Sequence, residues 1–188
     1  MSTFLFELPG RGRIKAFGED RKRLLHAMST NHVQQLEPGK GCYAFFLSAQ
    51  GRILSDVTIL AQEDHLLLDL EPAQREPIFR HLDKYIIADD VTLEDVTDQQ
   101  TTLALEGPEA KEILEAIGAP VPANDYDSVA WAGRLIVKTS YTGALGYQIF
   151  LNPLDAPILR ETLEDAGAKP ASEDDIEAIR ILNGKPRY

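Results

Sequence analysis

Short runs in which apolar and polar residues alternate are separated along the chain by longer stretches whose apolar residues recur every three or four positions. The first pattern predicts strands over 5–8, 13–17, 42–48, 53–61, 65–70, 91–96, 102–106, 128–132, 135–139 and 147–151. The second predicts helices over 19–30, 73–86, 108–117, 154–166 and 173–182. In the first helix Leu24, Leu25 and Met28 share a face, and in the third Ile113, Leu114 and Ile117 do. Turns fall at Ala49-Gln50-Gly51-Arg52 and Gln62-Glu63-Asp64, so 42–70 reads as an antiparallel meander leading into a helix.

Two strand-to-helix joints look alike. Ala16-Phe17-Gly18-Glu19-Asp20 and Leu105-Glu106-Gly107-Pro108-Glu109 each end a strand, and a Leu-Leu or Ile-Leu pair follows at the same offset. They predict two related strand–helix modules, intertwined along one chain, which either duplication or convergence on a common joint can produce. Antiparallel strands with helices on one side give an α+β fold. No glycine-rich turn of the kind that opens a dinucleotide or nucleoside triphosphate site is present, because no helix follows Gly10-Arg11-Gly12.

Composition narrows the setting. The 188 residues are 44% hydrophobic and 26% charged, enough to bury a core. Charged or amide side chains interrupt every apolar run well short of the roughly 18 residues of a membrane span. The start, Met1-Ser-Thr-Phe-Leu-Phe-Glu, lacks a basic segment and a long apolar block, so a cytoplasmic location is expected. The single Cys42 has no disulfide partner and no second thiol with which to share a metal. A net charge of −11 argues against general nucleic-acid binding. Arg11, Arg13, Lys15, Arg21, Lys22 and Arg23 nevertheless cluster, either as a basic patch for a small anion or an RNA backbone, or as solvated side chains.

Candidate chemistry centres on Asp56, which interrupts the most apolar strand. By alternation Leu54, Asp56 and Thr58 share one face, and Ile53, Ser55, Val57 and Ile59 the other. A carboxylate on a buried face is hydrogen-bonded or faces a ligand cavity, because burying it alone costs several kcal/mol. On a solvated face it needs neither. Tyr43, on the partner strand, either packs in the core or forms an aromatic wall beside Asp56. Cys42 points to the opposite side and reads as a small buried hydrophobe. Ser140-Tyr141-Thr142-Gly143-Ala144-Leu145-Gly146-Tyr147-Gln148 is a turn with two glycines, either a plain hairpin or a place where backbone approaches a ligand. The four histidines show no metal-ligand spacing, so no metal site is expected.

Three blocks together resemble the aminomethyltransferase (T-protein) of the glycine cleavage system and its YgfZ-like folate-binding relatives. The first runs from Gly18-Glu19-Asp20-Arg21 through Leu24-Leu25-His26, Thr30-Asn31 and Pro38-Gly39-Lys40-Gly41-Cys42-Tyr43 to Gln50-Gly51-Arg52-Ile53-Leu54-Ser55-Asp56. The second is Tyr141-Thr142-Gly143 with Gly146-Tyr147-Gln148, and the third spans 177–188. The resemblance implies the folate-binding α+β fold of that family across 1–188, with tetrahydrofolate or a one-carbon derivative as cofactor. It also implies a further C-terminal domain past the equivalent of Tyr188, so the chain is expected to stop before that domain. Asp56 matches the catalytic aspartate. Tyr43, Asp56, Tyr141 and Gln148 match positions lining the folate pocket.

This chain departs from the T-protein pattern at three places. Gln148 stands where a pterin-gripping glutamate is usual, Ile176 stands at an arginine position, and Ser55-Asp56 replaces an Asp-Asp pair. Those changes resemble the YgfZ-like branch, which implies one-carbon-dependent iron–sulfur protein maintenance or tRNA modification and a protein partner from those processes. Two alternatives stay open: a true aminomethyltransferase, and a non-catalytic interaction subunit of the same fold.

Overall fold

A computed structural model describes residues 2–186; Arg187 and Tyr188, the end of the third block above, lie outside them. Among the described residues the chain divides into two compact units, one made of 2–9 with 99–186 and the other of 10–98.

In the unit of 10–98, the strands are β2 (Gly12–Phe17), β3 (Gly41–Leu47), β4 (Ile53–Ala61), β5 (Leu66–Leu70) and β6 (Thr92–Asp95), with helices α1 (Arg21–Met28) and α2 (Arg75–Asp83). The sheet order is β3-β4-β5-β2-β6, antiparallel throughout. Alternation sends Ile14, Ala16, Cys42, Ala44, Phe46, Val57, Ile59 and Leu68 to one face, where Leu25 of α1 and Ile78 and Leu82 of α2 close the core.

The other unit holds β1 (Phe4–Glu7), β7 (Thr101–Glu106), β8 (Ser128–Trp131), β9 (Arg134–Val137), β10 (Gly146–Leu151) and β11 (Lys169–Pro170), with α3 (Ala110–Ala116), α4 (Ala156–Asp165) and α5 (Glu173–Leu182). Its order is β11-β1-β7-β10-β9-β8. Leu5, Leu103, Leu105, Ile136, Tyr147 and Ile149 face Ile113 and Leu114 of α3 and Leu159 and Leu163 of α4. Ile176 of α5 instead packs with Phe6, Leu8 and Ala104 on the opposite face.

Each sheet places a meander of three strands beside the strand that leads into the first helix, so the two modules repeat one topology. Their flanking strands are exchanged. β1 precedes β2 in sequence yet pairs with β7, and β6 precedes β7 yet pairs with β2. The joints are alike in detail: Gly18 and Gly107 take positive φ values of 98° and 144°. A Cβ at Gly18 would lie 2.0 Å from the carbonyl oxygen of Asp90, just before β6, and one at Gly107 would lie 2.5 Å from Cα of Thr3, just before β1. Only a residue without a side chain lets the flanking strand pass so closely.

Every predicted strand and helix is present, and the α+β class with two related modules holds. The helix over 173–182 has the predicted bounds, while α2 and α4 start later than predicted because single tight turns at Pro72–Gln74 and Pro153–Asp155 precede them. Two-residue β11 was not predicted. No helix among the described residues is long and apolar enough to cross a membrane.

Candidate functional site

Tyr43 and Asp56 come together on the face of the first sheet that turns away from its helices. Tyr43 is paired with Thr58 and Phe45 with Asp56, so Tyr43 and Asp56 are diagonal neighbours. The Tyr43 hydroxyl donates to Oδ2 of Asp56 at 2.9 Å, and its ring meets Phe45 edge-on at 5.3 Å. Asp56 is half-buried, and neighbouring Ser55 points into the core face and donates to the Asp56 carbonyl oxygen at 2.6 Å. A second carboxylate at position 55 would therefore sit in the core, whereas the serine hydroxyl is satisfied on its own strand.

The same face carries a charged row that sequence reasoning did not single out. Arg13, Asp69, Thr58 and Tyr43 lie abreast across β2, β5, β4 and β3. The Arg13 guanidinium, only 1% exposed, donates to Oδ1 of Asp69, and Arg11 donates Nε and Nη2 to the two Asp69 oxygens at 3.0 and 2.9 Å and a further N–H to Glu71. Burial lowers the Arg13 guanidinium to about 10 against the upward pull of Asp69. Burial lowers Arg11 too, but Asp69, Glu71 and Asp56 outweigh it and the net shift is upward. The signal was available: Asp69 stands inside Leu66-Leu67-Leu68-Asp69-Leu70, and a carboxylate in such a run needs a cation opposite it.

That pairing also dissolves the basic cluster expected around 11–23. Arg11 and Arg13 are spent on Asp69 and Glu71, Arg21 donates to the carbonyls of Gly18 and Glu63, Lys22 to that of Leu36, and Arg23 to Asp20 and Asp89. Arg11 and Arg13 converge on Asp69, whereas Arg21, Lys22 and Arg23 each reach other oxygens, so these five side chains are engaged within the fold. Cys42 lies in the core as expected, and burial raises its thiol to about 11.

Tyr141 and Gln148 belong to the other unit. Gln148, on β10 between Ala104 and Val137, is 4% exposed, and its Oε1 accepts no hydrogen bond. Tyr141 is half-buried, with its ring edge-on to Phe6 at 6.4 Å. Ile176 is 7% exposed and packs against Phe6.

The residue most conspicuously missed is Glu106, the last of β7. Its carboxylate is 2% exposed and accepts from Ser140 Oγ at 2.9 Å, the Tyr141 N–H at 2.5 Å, the Thr142 N–H at 3.1 Å and the Thr142 hydroxyl. Burial raises its pKa above the ordinary glutamate value, while the donors of Thr142, Tyr141 and Ser140 pull the other way. In the sequence it looked like the polar end of a strand. A cavity of about 730 Å³ lies against it, walled by Phe4, Phe6, Pro108, Ile176 and Ile179.

Comparison with known proteins identifies the family. The GCVT N-terminal domain family matches residues 2–182. An aminomethyltransferase of Rubrobacter xylanophilus is 29% identical over 98% of this chain and 51% of its own length. That of Geobacillus kaustophilus is 31% identical over 88% of this chain and 47% of its own. The chain thus spans about half the length of the curated relatives it matches. The crystal structure of glycine cleavage system aminomethyltransferase T from Bartonella henselae superposes with a TM-score of 0.90 at 21% identity, over 99% of this chain and 52% of that one. Heterotetrameric sarcosine oxidase from Corynebacterium sp. U-96 shares the fold more distantly, with a TM-score of 0.56 at 17% identity over 99% of this chain and 88% of that one. With the family spanning nearly every residue and the fold matching throughout, this chain belongs to the GCVT N-terminal domain family.

Proposed function

We propose that this chain binds tetrahydrofolate or a one-carbon derivative and acts in the YgfZ-like branch, in iron–sulfur protein maintenance or tRNA modification alongside a protein partner of those processes. The observation that carries the reading is the Gln148 amide. A buried carbonyl oxygen without a donor is costly in a folded protein. A pterin edge supplies adjacent N–H donors, so the residue present fits the group the family implies.

In this reading Gln148 accepts from the pterin, Tyr141 and Tyr43 offer aromatic walls, and Asp56 supplies negative charge near the nitrogen that bears the one-carbon unit. The folate supplies the one-carbon carrier. The chain's part is to bind it, orient it and hold a carboxylate, steered by the Tyr43 hydroxyl, at that nitrogen. Gln148 favours a binding role over T-protein catalysis: a charged hydrogen bond of roughly 1.5–3 kcal/mol becomes a neutral one of roughly 0.5–1.5 kcal/mol. Burial of Ile176 in an apolar contact supports the same branch.

Aminomethyl transfer is the second reading, supported by the names of the matched relatives and by the Asp56 carboxylate. Thermal unfolding in rising tetrahydrofolate or 5-formyltetrahydrofolate tests the shared part, because a ligand of the native state alone must raise the midpoint with concentration. Gln148→Ala and Asp56→Ala are each expected to weaken binding about tenfold. A flat midpoint, or an Asp56→Ala protein that binds as the parent does, sinks the pocket assignment. Ammonia release from an aminomethyl-lipoyl carrier with tetrahydrofolate present selects the transferase reading, and its absence with binding intact selects the YgfZ-like one.

A further inference from the structure

We propose that Glu106 is a positioning residue: it fixes the backbone of residues 140–142 and so sets where Tyr141 stands for the ligand. The identity of that ligand rests on the folate reading; the clamp itself does not.

A carboxylate 2% exposed is an expensive way to end a strand, and among the described residues Glu106 forms no ion pair that would offset it. All its donors come from three consecutive residues. Oε1 takes the Tyr141 N–H at 2.5 Å, Oε2 takes the Thr142 N–H at 3.1 Å, and the hydroxyls of Ser140 and Thr142 close on Oε2. A single carboxylate thereby holds both backbone amides at the base of the turn. Ser140 Oγ also accepts from the N–H of Gly143 at 2.8 Å, passing the order along the turn.

Two features outside the turn are built to the same end. Asn183, just past α5, donates Nδ2 to the Thr142 carbonyl at 3.1 Å, holding the segment from its other side. Gly146 lies opposite Glu106 in the β7–β10 register, and a Cβ there would come within 2.5 Å of Glu106 Cγ. The glycine leaves room for the glutamate side chain to cross β10 and reach the turn. The Tyr141 ring meets Phe6 edge-on at 6.4 Å.

Glu106→Gln is the incisive substitution, because the amide replaces one acceptor oxygen with an NH2. Hydroxyls can turn to accept from that group, but a backbone N–H cannot, so either Tyr141 or Thr142 loses its acceptor. Hydrogen exchange followed by NMR is expected to speed up about tenfold or more at those two amides, with exchange in β2 to β5 unchanged. Folate affinity is expected to fall about tenfold, and that loss should vanish when Glu106→Gln is made in a Tyr141→Ala background. A residue that merely stabilised the fold would cost the same in both backgrounds. Should Glu106→Gln not fold, Thr142→Val removes one hydroxyl donor from the turn side and is read by folate affinity alone, with and without the Tyr141 ring. Unchanged exchange at Tyr141 and Thr142, or an affinity loss that persists without the tyrosine ring, overturns the proposal. If the parent chain binds no folate at all, the functional reading fails and the exchange rates alone decide the clamp.

Discussion

The two modules repeat one plan and differ in how they treat the sheet face opposite the paired helices, α1 with α2 in the first and α3 with α4 in the second. In register, the row Arg13, Asp69, Thr58, Tyr43 of the first corresponds to Thr102, Phe150, Leu135, Ala130 of the second. One row further along, Lys15, Leu67, Leu60, Gly41 corresponds to Ala104, Gln148, Val137, Ser128. The first module therefore buries charge where the second buries a phenylalanine, and the second places a lone amide where the first has a leucine. The helix-facing sides are apolar in both. A shared topology needs only the apolar side and the glycine joint, which leaves the other face free to acquire different chemistry.

The largest expected effect comes from breaking the charged row. Asp69→Ala leaves the Arg13 guanidinium buried without its carboxylate and should cost about 3–5 kcal/mol in urea unfolding. Making the first module resemble the second is expected to undo most of that. The double variant Arg13→Met with Asp69→Leu should recover more than half of the loss, since well-packed apolar residues commonly replace a buried ion pair at little cost. If the double variant is as unstable as Asp69→Ala, the row is needed for more than balancing charge.

Next come the joints, where the two modules are most alike. Gly18→Ala and Gly107→Ala each force a side chain into a left-handed backbone, worth about 1–3 kcal/mol, and press a methyl against the passing strand. Gly18→Ala should be the more damaging, because the obstacle is a backbone oxygen at 2.0 Å rather than a Cα at 2.5 Å. Equal losses in chemical denaturation would mean that the flanking strands β6 and β1 yield equally, despite the different spacing.

Much of this was legible in the sequence and some could not be. Alternation placed Asp56 and Thr58 on one face and Ser55 and Val57 on the other, and the paired joints announced two modules. The exchange of β1 and β6 was not legible, because which strand pairs with β2 or β7 is decided by contacts far apart in sequence, and both flanking strands carry similar patterns. Asp69 hid in a leucine run whose hydrophobicity predicted the strand without regard to its one charge. Glu106 hid because a polar residue at a strand end is commonplace; what marks it is burial together with donors more than thirty positions away. Gln148 and Tyr141 were found only through resemblance to a family.

The smallest expected effect tests the helix-facing sides, where the modules should be interchangeable. Cys42 on β3 occupies the place that Val129 holds on β8: Cys42 pairs with Ile59, and Val129 with Ile136. Cys42→Val copies the second module into the first and should change stability by less than about 1.5 kcal/mol at neutral pH. Burial raises the folded thiol to about 11 from an ordinary value of 9.0, so the native state holds its proton more tightly than the unfolded chain does. The thiol's contribution is therefore complete below the ordinary value and is lost as pH rises through the folded one. Parent and variant should match at pH 8 in urea unfolding and diverge toward pH 11, with Cys42→Val the more stable. Parallel curves across that range would mean that the thiol titrates alike in both states, and so that the core behind β3 admits water at Cys42.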